Sequence, residues 1–405
     1  MPSVCPVSAR CLPGARPSVP FRRPPTPPAP DPSRPHAGNL TKLVFDAHWD
    51  EAARASTLRR LGDLGALRSL DLCIVHFPRG FVEHQLGAVL ERVPHLTSLR
   101  LDLNRVSAEE GYVVDFPQCL SHLSALASLT VESRGQVLFR PVFPQLPGSV
   151  QTLAIYGCSD MSAGNVLDTP LCLRLESLTL HGLNGVPQFS RWTLAQSVRR
   201  LSVYGPAHAA AQVDNMLLQN ASHVSTLTNL ESLTLCRTQK MPAIGSLQSL
   251  TSLRLVDCFR FQSAPPQFRS LAKLSGLRQL VFDRCHMTSL PSSIASLTNL
   301  SELRATNCPT LRKVPQLSTL PSLKLLDLSC SGVTCTTFLA GTTSIERLNL
   351  NGCKYIFRVD LGPPTLAALR FLDARDCHAN LLFPCRVVAW IQEKTGVPGY
   401  DIRVT

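Results

Sequence analysis

Leucine holds the fourth place of all thirteen copies of one recurring segment, and nothing else in this 405-residue sequence limits the fold as tightly. The stretch Leu290 to Cys308, LPSSIASLTNLSELRATNC, shows the unit. Leu300, Leu303 and Ala305 take the first, fourth and sixth places of the pattern L-x-x-L-x-L-x-x-N/C, and Cys308 takes the ninth. Apolar residues two apart fit a strand whose alternate side chains point inward. The ninth residue begins a turn, where Asn or Cys serves as a small, buried, weakly polar group. The segment around Pro291 then carries the chain back over the outer surface.

The first-place anchors are Leu67, Leu96, Leu126, Val150, Leu175, Val198, Leu230, Leu250, Leu277, Leu300, Leu323, Ile345 and Leu369, at intervals of 20 to 32 residues. Units of this length each make one turn of a coil, and stacking buries their leucines as one core. The expected fold is an α/β leucine-rich repeat solenoid, a horseshoe with a parallel concave sheet and helical, 3-10 or irregular convex segments. Thirteen strands give an arc of about 60 Å. The expected domains are a disordered Pro/Arg-rich tail (1–38), an N-terminal cap (39–66), about thirteen repeats (67–382) and a C-terminal cap (383–405). Early units have room for convex helices, with helical spacing from Phe81 to Val93 and a capping box from Ser107 to Glu110. A helix is expected over Asp50 to Leu61 and another over Ala209 to Ser222. Later, shorter units carry Pro242, Pro265, Pro291 and Pro315 and leave room only for turns or 3-10 segments. In the C-terminal cap, Trp390 is expected to be buried on a short amphipathic helix.

Residues 1–38 hold twelve prolines, five arginines and a single acid, Asp31. Such a segment cannot bury enough apolar surface to order itself; a transit peptide is the alternative. The net charge of +12 is spread along the chain rather than gathered in a block, so no nucleic-acid partner is expected. No apolar run approaches the ~18 residues of a membrane span. Of fifteen cysteines, Cys158, Cys258, Cys285, Cys308, Cys353 and Cys377 fall at ninth positions, where reduced thiols pack as small hydrophobes. A reducing, cytoplasmic location follows, with a cytoskeletal or ciliary location, or an organelle reached through a transit peptide, as alternatives.

Third and fifth positions of each strand point to the solvent side of the sheet. They are small hydroxyls in the N-terminal half and larger, charged residues from Arg254 onward. Interfaces draw most of their energy from a few arginine and aromatic anchors. The candidate protein-binding surface is therefore Arg254, Asp283, Arg284, Arg304, Asp327, Arg347, Phe371 and Arg375, with Tyr156 and Tyr204 as a smaller second candidate. If these charges are free, reversing Arg304 and Arg347 to Glu weakens partner capture and leaves stability unchanged.

The sequence holds no G-x-x-x-x-G-K-[ST], H-E-x-x-H, G-x-S-x-G or C-x-x-C motif, and no second cysteine pair joins Cys330 and Cys335 to complete a zinc site. Neither an enzyme nor a cofactor is expected. The units LPSSIASLTNLSELRATNC, LPSLKLLDLSCSGV and TTSIERLNLNGC resemble the leucine-rich repeats of plant intracellular immune receptors, most closely over residues 230 to 377. That resemblance implies a domain that senses ligands or holds a receptor inactive. The chain carries no nucleotide-binding, signalling or kinase motif. The expectation is a monomeric, non-enzymatic scaffold for a protein partner. The alternatives are a substrate-recognition subunit of a ubiquitin ligase and a cytoskeletal or ciliary structural protein.

Overall fold

The computed structural model describes residues 41–48, 65–75, 86–104, 113–115, 118–133, 138–140, 146–156, 174–181, 197–205, 221–238, 241–258 and 266–404. The tail at 1–38, the helix expected over Asp50 to Leu61, the capping box at Ser107 to Glu110, Cys158 and nearly all of the stretch Ala209 to Ser222 lie outside these residues. The chain forms two compact units, 1–175 and 176–405.

In the first unit, strands β1 (Lys42–His48), β2 (Ser69–Val75), β3 (Ser98–Asn104), β5 (Ser128–Ser133) and β7 (Thr152–Tyr156) pair in that order, all parallel. Two short strands, β4 (Val113–Asp115) and β6 (Leu138–Arg140), form a separate parallel pair. Of the helix expected over Phe81 to Val93, the described part is the single turn α1 (Gly87–Leu90), which buries Val89 and Leu90.

The second unit contains β8 (Ser177–His181), β9 (Arg200–Tyr204), β10 (Ser232–Cys236), β11 (Ser252–Val256), β12 (Gln279–Asp283), β13 (Glu302–Thr306), β14 (Leu325–Asp327), β15 (Arg347–Asn349), β16 (Phe371–Asp373) and β17 (Asp401–Arg403). Each is parallel to the next, and like positions of successive repeats face one another: Leu253 lies beside Leu280, and Leu280 beside Leu303. Short 3-10 turns such as Pro266–Lys273 and Ser292–Ser296 carry the chain back, as the short intervals require. The first-, fourth- and sixth-place side chains are buried, with Leu300, Leu303 and Ala305 at 0% exposure. This is a leucine-rich repeat solenoid. In the last repeat, α2 (Pro363–Ala368) leads into β16; after it, α3 (Cys385–Lys394) buries Val387 and Trp390 before β17 joins the sheet beside β16.

One local feature escaped the sequence pattern. From the Leu230 repeat onward the eighth residue is left-handed in every unit: Arg237, Asp257, Arg284, Asn307, Cys330, Gly352 and Asp376, with φ between 51° and 70°. Only Gly352 is a glycine, so six residues hold a conformation that costs an L-residue roughly 1–2 kcal/mol. The turn aims the ninth side chain into the core. There the thiols of Cys258, Cys285, Cys308, Cys353 and Cys377 reach the sixth-place carbonyls of the preceding repeat, Leu235, Leu255, Phe282, Leu328 and Leu350, at 3.0 to 4.0 Å. Thr238 and Ser331 fill the other two ninth places and join the ladder through Cys258 and Cys353.

Candidate functional site

The open face of the second unit's sheet is built from third, fifth and seventh places held in register. Its last three complete repeats differ from the earlier ones. Their fifth-place side chains, Asp327, Asn349 and Asp373, accept hydrogen bonds from the backbone N–H of the seventh residue, Ser329, Asn351 and Arg375, at 3.0 to 3.2 Å. Asp and Asn favour such local turns. Here they end β14, β15 and β16 after three residues, where β8 to β13 run for five.

These side chains also decide which charges are available. Asp327 was expected to face solvent, and the structure corrects this: it is buried at 9% exposure, turned onto the Ser329 N–H beneath Arg304. Val281 and Asp373 are likewise buried at fifth places, at 3% and 4%. The pleat points these positions outward, but long side chains on neighbouring strands lie over them. Arg304 pairs with Glu302 and reaches Asp327 at 3.9 Å. Arg375 grips Asp373 through Nε (3.1 Å) and a terminal nitrogen (2.7 Å). Burial pushes the Asp373 carboxyl up, but the bonds from Arg375 outweigh it and hold the group below the usual carboxylate range. Hydrogen bonding to Asp373 raises the Arg375 guanidinium in turn.

The remaining candidates separate into three groups. Arg284 reaches Asp257 at 2.8 Å and Asp283 at 3.5 Å, and Asp283 also accepts from Thr306 and Asn307 at 2.9 Å each. Arg237 lies 3.7 Å from Asp257, so the edge of the sheet carries a continuous ionic chain. Arg347 lies over Phe371, 4.5 Å from the ring centroid, and Arg403 comes to 5.5 Å. Such stacking is worth ~0.5–1 kcal/mol at exposed sites. Arg403, on the final strand, was not singled out from the sequence, because no repeat pattern reaches it. Arg254 is exposed on β11 between Thr234 and Val281, and among the described residues it has no ion-pair partner. The same is true of Arg200, which the third-place pattern contained but which was not chosen. Between Arg200 and Arg254 runs β10, with Ser232 and Thr234 facing the same side. Tyr204 stacks on His181 at 5.1 Å beside this floor. The other proposed aromatic, Tyr156, belongs to the first unit.

Most of the buried thiols are kept neutral by their surroundings, while hydrogen bonding with Cys285 and Thr238 lowers Cys258. Burial raises Cys236 to about 11, and Cys308 and Cys377 to about 12, so they are neutral at physiological pH. Hydrogen bonding to Cys258 and burial raise Cys285 as well. A thiol becomes a strong nucleophile only as thiolate, and these environments oppose it. Among the described residues no group of three or more His, Cys, Asp or Glu side chains could hold a metal ion, and no helix is long and apolar enough to cross a membrane.

No family model matches the chain. Over 176 residues, 42% of its length, it is 34% identical to the disease resistance protein RPS6 of Arabidopsis thaliana. The match spans 15% of that relative. Among solved structures, the chain is similar to the internalin InlF of Listeria monocytogenes, with TM-score 0.50 and 16% identity over 91% of this chain and 87% of the other. It is also similar to a TDR receptor, with TM-score 0.51 and 18% identity over 82% of this chain and 55% of the other. Identities this low speak for a shared fold. The resistance-protein match supports the resemblance of the repeats.

Proposed function

We propose that this chain is a non-enzymatic, cytoplasmic recognition module that binds an acidic protein partner on the open face of its second sheet. The observation that carries the reading is the distribution of paired and unpaired charge. Toward the C-terminus the carboxylates of Glu302, Asp327, Asp373 and Asp401 already hold Arg304, Arg375 and Arg403. Arg200 and Arg254 stand above a serine and threonine floor with no such partner among the described residues, and Arg347 lies over an aromatic ring without a carboxylate in direct ion-pair contact among them. A guanidinium without an internal carboxylate is free to take one from a partner, bidentately and with directional preference. The similarity to a receptor and to part of a resistance protein agrees with recognition as the role.

The test is capture of partners from cell extract by the full chain, compared with Arg200→Glu/Arg254→Glu. Both residues are exposed, so the double variant is expected to melt within a degree or two of the parent and to lose the captured protein. Undiminished capture by a folded double variant would refute the reading. Reversal of Arg304 is the poorer probe, because it leaves Glu302 and Asp327 facing a new carboxylate and destabilises the strand itself.

A further inference from the structure

Three large apolar side chains gather on the segments that follow the strands. Tyr355, Phe357 and Leu382 are 51%, 50% and 62% exposed. Single exposed hydrophobes are ordinary, but adjoining ones are not. Tyr355 and Phe357 flank buried Ile356, so both turn outward. The Leu382 N–H donates to the Phe357 carbonyl at 2.9 Å, and the Val359 N–H donates to the Leu382 carbonyl at 3.0 Å. These bonds set Leu382 beside Phe357, one repeat further on.

Next to Tyr355 opens a groove of about 470 Å³, with Pro309, Asn351, Lys354 and Asp376 in its walls. That volume lies in the ~300–1,000 Å³ range of ligand-binding clefts. Gly332 lets the chains approach here: a Cβ on it would meet the Pro309 carbonyl oxygen at 2.2 Å. Across this narrow turn Arg312 donates to the Gly332 carbonyl at 2.7 Å and lies 4.0 Å over the Tyr355 ring. Arg312 thus covers one face of the ring and leaves the rest exposed. Lys313 and Lys354 are exposed and have no ion-pair partner among the described residues.

We propose that this groove is a second docking surface, and that its occupant is an acidic linear peptide from a partner protein, seated by one apolar side chain beside Tyr355. The pattern of charge argues for that chemistry. Arg312 and Lys354 oppose a basic ligand and pair with carboxylates beside the anchor, the one carboxylate of the wall, Asp376, accepts from Asn351 at 3.4 Å, and Phe357 and Leu382 extend the apolar footing. The surface lies on the return segments and reaches the sheet's open face only at Asn351, away from Arg200 and Arg254, so it is independent of the function proposed above.

Selection of a random twelve-residue peptide library on the full chain tests this. Selected sequences should be acidic with one aromatic or aliphatic anchor. Fluorescence anisotropy of the best binder should show affinity falling at least about tenfold in Tyr355→Ala and in Lys354→Glu, the scale of a true anchor, with Arg254→Glu within about twofold of the parent. Circular dichroism melts establish that each variant is folded. Recovery of no peptides, of neutral or basic ones, or of binders indifferent to Tyr355 and Lys354 would overturn the proposal. So would loss of binding in Arg254→Glu, which would place the peptide on the sheet. Cosedimentation with phosphatidylserine vesicles that disappears in the Lys354→Glu variant would overturn it in favour of a membrane surface.

Discussion

Thr336 offers the sharpest test of how adjacent repeats are joined outside the sheet. Its side chain is 1% exposed, and its hydroxyl makes two bonds to one residue of the next repeat. It donates to the Asp360 carbonyl at 2.8 Å and accepts from the Asp360 N–H at 2.8 Å. Thr336→Val keeps the shape and removes both bonds, so no cavity complicates the result. Two ordinary hydrogen bonds contribute about 2 kcal/mol net, and stranding a buried backbone donor and acceptor adds to that. Asp360 is only half-buried, so water recovers part of the second cost. The expected loss is about 2–3 kcal/mol. Urea unfolding followed by circular dichroism measures it, with the exposed Thr343→Val as a control expected within ~0.5 kcal/mol of the parent. Because each repeat touches only its neighbours, hydrogen exchange should quicken over residues 334–362 and stay unchanged over 232–258. A loss below about 1 kcal/mol, or faster exchange spread evenly along the chain, would refute the reasoning.

Leu303→Ala removes a fully buried side chain from the middle of the second unit and should cost about 2–5 kcal/mol in the same urea experiment. Gly352→Ala forces an L-residue to φ 70° and sets a Cβ 2.8 Å from the Cys330 sulfur; it should cost about 1–2 kcal/mol, and less when combined with Cys330→Ala if the contact contributes. Asp373 is held below the usual carboxylate range, so it stabilises the fold fully above the unfolded carboxylate pKa of ~3.9 and loses that contribution as pH falls through its folded value. Asp373→Asn should therefore flatten the acid limb of stability measured by melting temperature against pH.

The fold was legible in the sequence because its main determinant is one-dimensional. Leu303 needs only a partner at the same place in the next unit, and Leu280 and Leu326 supply it by repetition. The left-handed eighth residue was only half legible: Asp257, Asn307, Gly352 and Asp376 are residue types that tolerate the conformation, but Arg237, Arg284 and Cys330 in the same place are not. The backbone imposes it so that the ninth side chain can enter the core. The seam through Thr336 was hidden for a related reason: it lies in a return segment whose length varies, so no alignment of units brings Thr336 and Asp360 together.

The open face depends on information that repeat position alone does not carry. Arg254 and Arg304 occupy the same fifth place, and position alone makes them equivalent. Their neighbours separate them. Arg304 has Glu302 two residues back on its own strand and Asp327 beside it on the next. Arg254 has Ser252 two residues back, with Thr234 and Val281 on either side. A guanidinium already paired must give up one carboxylate to gain another, so the exchange contributes little, whereas an unpaired one gains the whole interaction less its desolvation. Double-mutant cycles express the difference. Reversing Arg254 together with a contacting partner carboxylate should restore affinity lost in either single variant, while the same exchange at Arg304 should show little coupling and a loss of stability instead. Equal coupling at the two positions would mean that the internal pairs of the C-terminal repeats open on binding, and the open face would then extend through Phe371 to Arg403.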